Sequence, residues 1–292
     1  MGDFRVAEQI VVVTDIDASL LEAGTRSLSD ERAALNFLAE RSIPLIINSS
    51  RSRAEIERLH HTLDIVMPFI SEHGSALFLP HQCLPFVPHN ARTAVGGHVI
   101  EFGQRYYQVV DTLRLVCREL HVDVVGFAEL SIDEVARELD ISSAEAQLVK
   151  LREYTELFRI EDGSDRTLSR LFKALRRRGL RCYQRGRHYL VSATPNRAES
   201  LQTLKSLWKR AWGEHVMVGL GDSEDDVSWL QFVDVPIFVE NGRSGIPARV
   251  LSKLPTVRLT ERPGRQGWSD AIFEFVGKAI ASRELAAKPQ SR

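Results

Sequence analysis

Short apolar runs alternate along this chain with stretches whose apolar positions recur every three or four residues. The first kind predicts strands buried on both faces of a parallel sheet, the second amphipathic helices packed against it. Ile10 to Val13 is the first such strand, and Ile43 to Ile47 the second. Between them Ser29 to Arg41 carries Ala33, Leu35, Leu38 and Ala39 at helical spacing, with Ser29 as the expected N-cap. A helix over Ser52 to Thr62 follows, then strand-rich Phe69 to Phe78 interrupted by the turn Glu72-His73-Gly74.

The rhythm changes near Pro85, where Pro85, Pro88 and Gly96-Gly97 read as a linker. Beyond it the pattern predicts helices over Tyr106 to His121, Ser131 to Leu139, Ser142 to Lys150 and Leu168 to Arg178. Strands are expected at Asp123 to Gly126, Leu157 to Ile160, Arg181 to Gln184 and His188 to Val191, which together make an α+β unit. Strand and helix then alternate again: a helix over Arg197 to Trp212, strands at Val216 to Leu220 and Val235 to Val239, and a closing helix from Trp268 to Ala281. The polar tail from Ser282 is expected to fray.

Candidate chemistry sits where the predicted parallel strands end, the edge at which open α/β sheets bind ligands. Asp15 and Asp17 follow the first strand. One carboxylate can attack phosphorus while a second moves the proton of the leaving oxygen, although Asp is also common at plain strand-to-turn junctions. The second strand runs into Ser49, Ser50 and Arg51 at the start of a helix, where hydroxyls and backbone N–H groups can hold a phosphate. An ordinary N-cap role for Ser49 or Ser52 is the alternative. A third strand ends in Gly221-Asp222-Ser223-Glu224-Asp225-Asp226. So many carboxylates repel one another unless a cation sits among them, and hard oxygen ligands suit Mg²⁺. Asp225 and Asp226 also suit a helix start through its dipole. The basic cluster of Arg176, Arg177, Arg178, Arg181, Arg185 and Arg187 is either an anion site or, in its first half, a solvated helix end.

Composition narrows the classes. At 292 residues the chain is long for one simple core, so a large domain carrying a smaller one is expected. Its formal net charge of −1 argues against a general nucleic-acid binder. Three widely spaced cysteines, Cys83, Cys117 and Cys182, suggest neither a disulfide framework nor a zinc site and fit a reducing compartment. No apolar run is long enough to span a membrane, and the start MGDFRVAEQ lacks the apolar core of a signal peptide, so a cytoplasmic location is expected.

Taken together, DIDAS at Asp15, the hydroxyl-ended strand at Ser49 and GDSEDD at Gly221 resemble, in order and spacing, the signature motifs of haloacid dehalogenase-type phosphatases. Finer features resemble the mannosyl-3-phosphoglycerate phosphatases: SSRSRAEI from Ser49, PFISEHGSALFLP from Pro68, REYTELF from Arg152, GRHYLV from Gly186, GLGDSEDD from Gly219 and PGRQGW from Pro263. The resemblance implies an α/β fold with a Rossmann-like parallel-sheet core, residues 1–84 and 192–292, and an inserted α+β cap, residues 85–191. It implies Mg²⁺-dependent removal of phosphate from mannosyl- or glucosyl-3-phosphoglycerate through an aspartyl-phosphate.

By the same resemblance Asp15 is the nucleophile and a metal ligand, and Asp17 is the general acid/base whose backbone carbonyl touches the metal. Ser49, Ser50 and Arg51 hold the phosphoryl group, Arg197 takes the place of the family's lysine, and Asp222 and Asp226 complete the metal site. Arg185 and Arg187, at the return from the cap, are candidates for the glycerate carboxylate. The partner expected is a small phosphorylated metabolite, with neither nucleic acid nor membrane; oligomeric state is left open. The chain departs from the family pattern at Ala18-Ser19, where Gly-Thr is usual, and at Arg197. These departures keep two alternatives in view: a related sugar phosphatase with another substrate, and a catalytically weakened member acting as a binding or regulatory module.

Overall fold

A computed structural model describes residues 10–17, 31–161, 163–193, 197–242 and 246–278. Contacts divide the chain into two compact units, residues 1–49 with 204–292, and residues 50–203. This is a different cut from the cap limits expected from the sequence, since packing and insertion are separate criteria.

The first unit begins with β1 (Ile10–Thr14), α1 (Arg32–Glu40) and β2 (Leu45–Asn48). All residues of β1 and β2 are buried, as their apolar runs require. The second unit continues with α2 (Arg53–Leu63), β3 (Phe69–Ser71), β4 (Ala76–Pro80), β5 (Arg92–Ala94) and β6 (Gly97–Glu101). It then adds α3 (Tyr106–Leu120), β7 (Val124–Gly126), α4 (Ile132–Leu139), α5 (Ser143–Lys150), β8 (Thr155–Ile160), α6 (Asp165–Arg177), β9 (Arg181–Arg185) and β10 (His188–Ser192). A long helix, α7 (Arg197–Trp212), leads back to the first unit. There follow β11 (Val216–Gly221), α8 (Val227–Leu230), β12 (Val235–Phe238), α9 (Ala248–Lys253), β13 (Arg258–Leu259) and α10 (Gly264–Ala271), which runs on into a π turn over Ile272–Val276.

In the first unit the strands lie in the order β13-β12-β11-β1-β2, and every neighbouring pair is parallel. Thr14 stands opposite Leu220 on β11 and Ile47 on β2, so the residues after all three strands leave the sheet at one edge. In the second unit β3, β4, β6 and β5 pair antiparallel in that order. A separate sheet, β7-β8-β10-β9, is also antiparallel. Its one face packs on α3 and α6 through Val109, Leu113, Phe158, Leu171, Leu175 and Val191. A smaller core of Phe127, Val135, Ala146, Leu157 and Leu190 joins α4 and α5 to the same strands. The α+β unit foreseen from the pattern is therefore present.

Several expectations need correction. The linker expected between Pro85 and Gly97 contains β5 and β6, a hairpin turned at Gly96 with φ +80°. Its register brings Gly97 so close to β4 that a Cβ would lie 2.1 Å from the Leu79 carbonyl oxygen. The closing helix starts at Gly264 rather than Trp268, and α6 starts at Asp165, capped by Ser164, rather than Leu168. Glu31 occupies the N-cap position of α1, while Ser29 lies outside the described residues. Ala18, Ser19 and the tail from Ser282 also lie outside them. No helix among the described residues is long and apolar enough to cross a membrane.

Candidate functional site

Asp15 is the first residue beyond β1, and its N–H still donates to the Leu220 carbonyl on β11 at 3.0 Å. Its carboxylate accepts the Asp17 N–H at 3.0 Å, which folds the chain back over it. One residue upstream, the Thr14 hydroxyl donates to the Asp15 carbonyl at 2.8 Å and accepts the buried Trp268 indole N–H at 3.0 Å. Trp268 ends the PGRQGW segment, so that segment braces the strand end bearing Asp15.

The Gly221–Asp226 turn follows β11. Asp226 is fully buried and nearly saturated with donors. One oxygen accepts the Asp222 N–H at 3.2 Å, the Ser223 N–H at 3.0 Å and the Ser223 hydroxyl at 2.6 Å; the other accepts the Trp229 indole N–H at 2.9 Å. These four bonds fix the orientation of the carboxylate. Asn241, just past β12, donates to the Asp222 carbonyl at 2.9 Å and fixes the other limb of the turn.

These strand ends bring together carboxylate oxygens of Asp15, Asp222 and Asp226 that all lie within 4.8 Å of one another, on three buried residues. Full charges at that spacing repel by about 3 kcal/mol per pair even at an effective dielectric constant of 20. A cation held among the three carboxylates would relieve that repulsion, and the cluster has the geometry to hold one. Hard carboxylate oxygens suit a divalent cation that keeps some of its waters, which is the donor set of Mg²⁺.

Of the residues singled out in the sequence, the first unit holds Asp15, Asp17, Ser49, Asp222 and Asp226. Ser49 is fully buried just past β2, at the edge where β1 and β11 also end, and Asp17 is half-buried. Ser50, Arg51, Arg185, Arg187 and Arg197 belong to the second unit. Ser50 and Arg51 form the turn before α2, whose N-cap is Ser52 in a capping box with Glu55. Ser52 therefore plays the ordinary capping role. Arg197 is buried at the start of α7. Arg187, in the tight turn between β9 and β10, is exposed, donates to the Glu138 carbonyl oxygen and lies 3.5 Å from the Glu138 carboxylate. That same carboxylate is 2.9 Å from His188 and is held below the usual range, chiefly by this hydrogen bond. Sequence reading missed Trp229, Trp268 and Asn241, which orient the carboxylates and their turns without supplying any.

The model of a family described as haloacid dehalogenase-like hydrolase matches residues 12–91. A glucosyl-3-phosphoglycerate/mannosyl-3-phosphoglycerate phosphatase of Methanococcoides burtonii is 30% identical over 268 residues, covering 92% of this chain and 97% of the relative. A protein of the same description from Persephonella marina is 29% identical over 273 residues, covering 92% and 98%. Among solved structures, a haloacid dehalogenase-like hydrolase from Bacteroides thetaiotaomicron superposes with a TM-score of 0.61 at 16% identity, over 94% of this chain and all of that one. One from B. subtilis gives 0.59 at 14% identity, over 90% and 99%. At such identities the structures speak for the fold alone.

Proposed function

The chain belongs to the haloacid dehalogenase-like hydrolases, and from that premise we propose that it is a phosphatase of glucosyl- or mannosyl-3-phosphoglycerate. The buried cluster of Asp15, Asp222 and Asp226 at the carboxyl edge of a parallel sheet is the observation that carries this reading. The substrate class rests on the two relatives, which match over nearly their whole length.

Asp15, Asp222 and Asp226, with the Asp17 carbonyl, would hold Mg²⁺. Bound there, the ion supplies positive charge that offsets the carboxylates and the phosphoryl oxygens. Asp15 attacks phosphorus in line; the bond from phosphorus to the ester oxygen breaks as an aspartyl-phosphate forms. Asp17 gives its proton to the departing sugar-glycerate oxygen and later takes one from the water that attacks phosphorus and frees phosphate from Asp15. Ser49 donates its hydroxyl to the phosphoryl group, and the N–H groups of Ser50 and Arg51 at the start of α2 serve the same anion. Arg197 neutralises nucleophile and phosphate. Its planar fork replaces the family's compact ammonium.

We place the cap at residues 85–191, with the core in 1–84 and 192–292. The self-contained β7-β8-β10-β9 sheet with α3 to α6 supports this division. Arg185 and Arg187 are assigned to the glycerate carboxylate; Arg187 would have to exchange its Glu138 partner for the substrate. Phosphate release should be compared among glucosyl-3-phosphoglycerate, mannosyl-3-phosphoglycerate and a panel of sugar phosphates and aryl phosphates, with Mg²⁺ or excess chelator. The proposal expects the two glycosyl-glycerate esters to lead in kcat/KM and chelator to stop the reaction. A better substrate outside that class would retire the substrate assignment, and full activity in chelator would retire the metal.

A further inference from the structure

Glu72 is a fully buried carboxylate of the second unit with no role in the proposed reaction. It is fully buried at the head of three successive residues with positive φ: Glu72 at 49°, His73 at 61° and Gly74 at 87°. Two non-glycine residues in that region are strained, so the turn persists only because its surroundings enforce it. What enforces it is a set of donors far along the chain. One Glu72 oxygen accepts the Glu153 N–H at 2.8 Å; the other accepts the Tyr154 N–H at 3.1 Å, the Thr155 N–H at 2.8 Å and the Thr155 hydroxyl at 2.6 Å. Burial pushes the carboxyl pKa up, and the nearby Arg152 charge, the Thr155 hydroxyl and the backbone donors oppose that shift.

The same cluster reaches the turn that follows Ser49. The Glu72 N–H donates to the Arg51 carbonyl at 3.0 Å. Arg152, its side chain only 8% exposed, donates to the Ser50 carbonyl at 3.1 Å and to the Thr155 hydroxyl oxygen at 2.8 Å. Ser52 donates its hydroxyl to the Leu148 carbonyl at 2.9 Å. Successive residues of the turn, Ser50, Arg51 and Ser52, are thus each tied to the cluster or to the segment leading into it. A trans peptide holds its C=O and the next N–H in one plane, pointing in opposite directions. Fixing the Ser50 carbonyl on Arg152 therefore fixes the direction of the Arg51 N–H, whereas the Ser52 N–H that follows is taken by the Glu55 carboxylate at 2.9 Å.

We propose that Arg152, oriented by Glu72 through the Thr155 hydroxyl, is a positioning residue that sets the Ser50–Arg51 peptide plane, and with it the Arg51 N–H, for phosphate binding. The inference rests on the phosphatase reading, which gives that turn the phosphoryl group to hold. Arg152 touches neither substrate nor reacting atoms; it acts through the backbone of Ser50.

The test compares wild type with Arg152→Met, Arg152→Lys and Thr155→Val, using an aryl phosphate as substrate and inorganic phosphate as competitive inhibitor, with Mg²⁺ saturating. Arg152→Met is expected to raise both KM and the phosphate inhibition constant at least tenfold. Arg152→Lys should recover part of that loss, and Thr155→Val, which removes only the hydroxyl link, should raise both constants about threefold. A merely structural role would lower the melting temperature and leave the phosphate inhibition constant of the folded enzyme unmoved. A phosphate inhibition constant within twofold of wild type in folded Arg152→Met overturns the proposal. If that variant does not fold, the same result in Thr155→Val does so. A wild-type enzyme that hydrolyses no phosphomonoester fails the phosphatase reading itself, and this inference with it.

Discussion

At Gly221 a missing side chain decides the geometry of the acidic cluster. A Cβ built there would lie 2.6 Å from the Asp226 Cβ and 2.9 Å from its carboxyl carbon, distances that real structures do not tolerate. Gly221→Ala must therefore push Asp226 off its Ser223 and Trp229 donors. The variant should lose at least tenfold in Mg²⁺-dependent turnover, equivalent to about 1.4 kcal/mol of barrier, and need more Mg²⁺ for half-maximal rate. An unchanged metal requirement would show that Asp226 is not part of the metal site. Asp222→Asn probes the repulsion directly. With chelator present the variant should melt higher than wild type, because one of three crowded charges is gone. Added Mg²⁺ should raise the wild-type melting temperature and leave the variant nearly unaffected, since only a ligand bound to the native state stabilises it. A variant that melts lower than wild type in chelator would contradict the repulsion argument.

Among the elements, α2 carries a prediction of another kind. His60, on its buried face, meets Phe69 edge-on at 5.1 Å, and its Nε2 has no partner among the described residues. Burial pushes the imidazole down from 6.5 to about 4. Above pH 6.5 the ring is neutral in both folded and unfolded chains and titration contributes nothing. As pH falls from 6.5 to about 4 the unfolded chain takes up the proton first, so stability drops, by roughly 3 kcal/mol in all. His60→Leu should remove that loss. Its stability relative to wild type, from urea unfolding, should be level above pH 6.5 and rise steadily below it; a difference independent of pH would mean that His60 takes up its proton as readily in the fold as in the unfolded chain.

Elements of this kind were legible wherever one period dominated. β1 and β2 open on runs of β-branched or aliphatic residues and β11 is apolar apart from its glycines, while the helices expected from Ser131 and Ser142 are α4 and α5, with those serines in capping boxes. The hairpin of β5 and β6 was hidden because β5 has three residues, two of them exposed, and so shows no alternation. β13, with two residues, and α8, with four, are too short to carry a period. The carboxylates of the site were legible because Asp after a buried strand is chemically conspicuous. Trp229 and Trp268 were not, because a tryptophan in an apolar stretch reads as core until its N–H is seen to meet Asp226 or Thr14. Glu72 was read as part of a turn; its donors lie some eighty residues away and are mostly backbone N–H groups, which leave no trace in side-chain pattern.

For the molecule as a whole, the proposed function gives phosphate to the core and the choice of what carries it to the proposed cap. Binding energy from the far end of a substrate raises the rate only if it is spent on positioning the reacting group. Replacing Arg185 and Arg187 with alanine should therefore lower kcat/KM on a glycosyl-3-phosphoglycerate by tenfold or more while leaving an aryl phosphate nearly unchanged. Equal effects on both would leave these arginines as surface charge. The central claim concerns Asp15, whose carboxylate is placed by β1, β11 and the Asp17 N–H. The most direct test is single-turnover phosphate release by Asp15→Asn, with circular dichroism and melting showing an intact fold. The account predicts a loss of more than about a thousandfold, roughly 4 kcal/mol of barrier, and no protein-bound phosphate after an acid quench that traps it on wild type. Turnover within tenfold of wild type in the folded variant would contradict it.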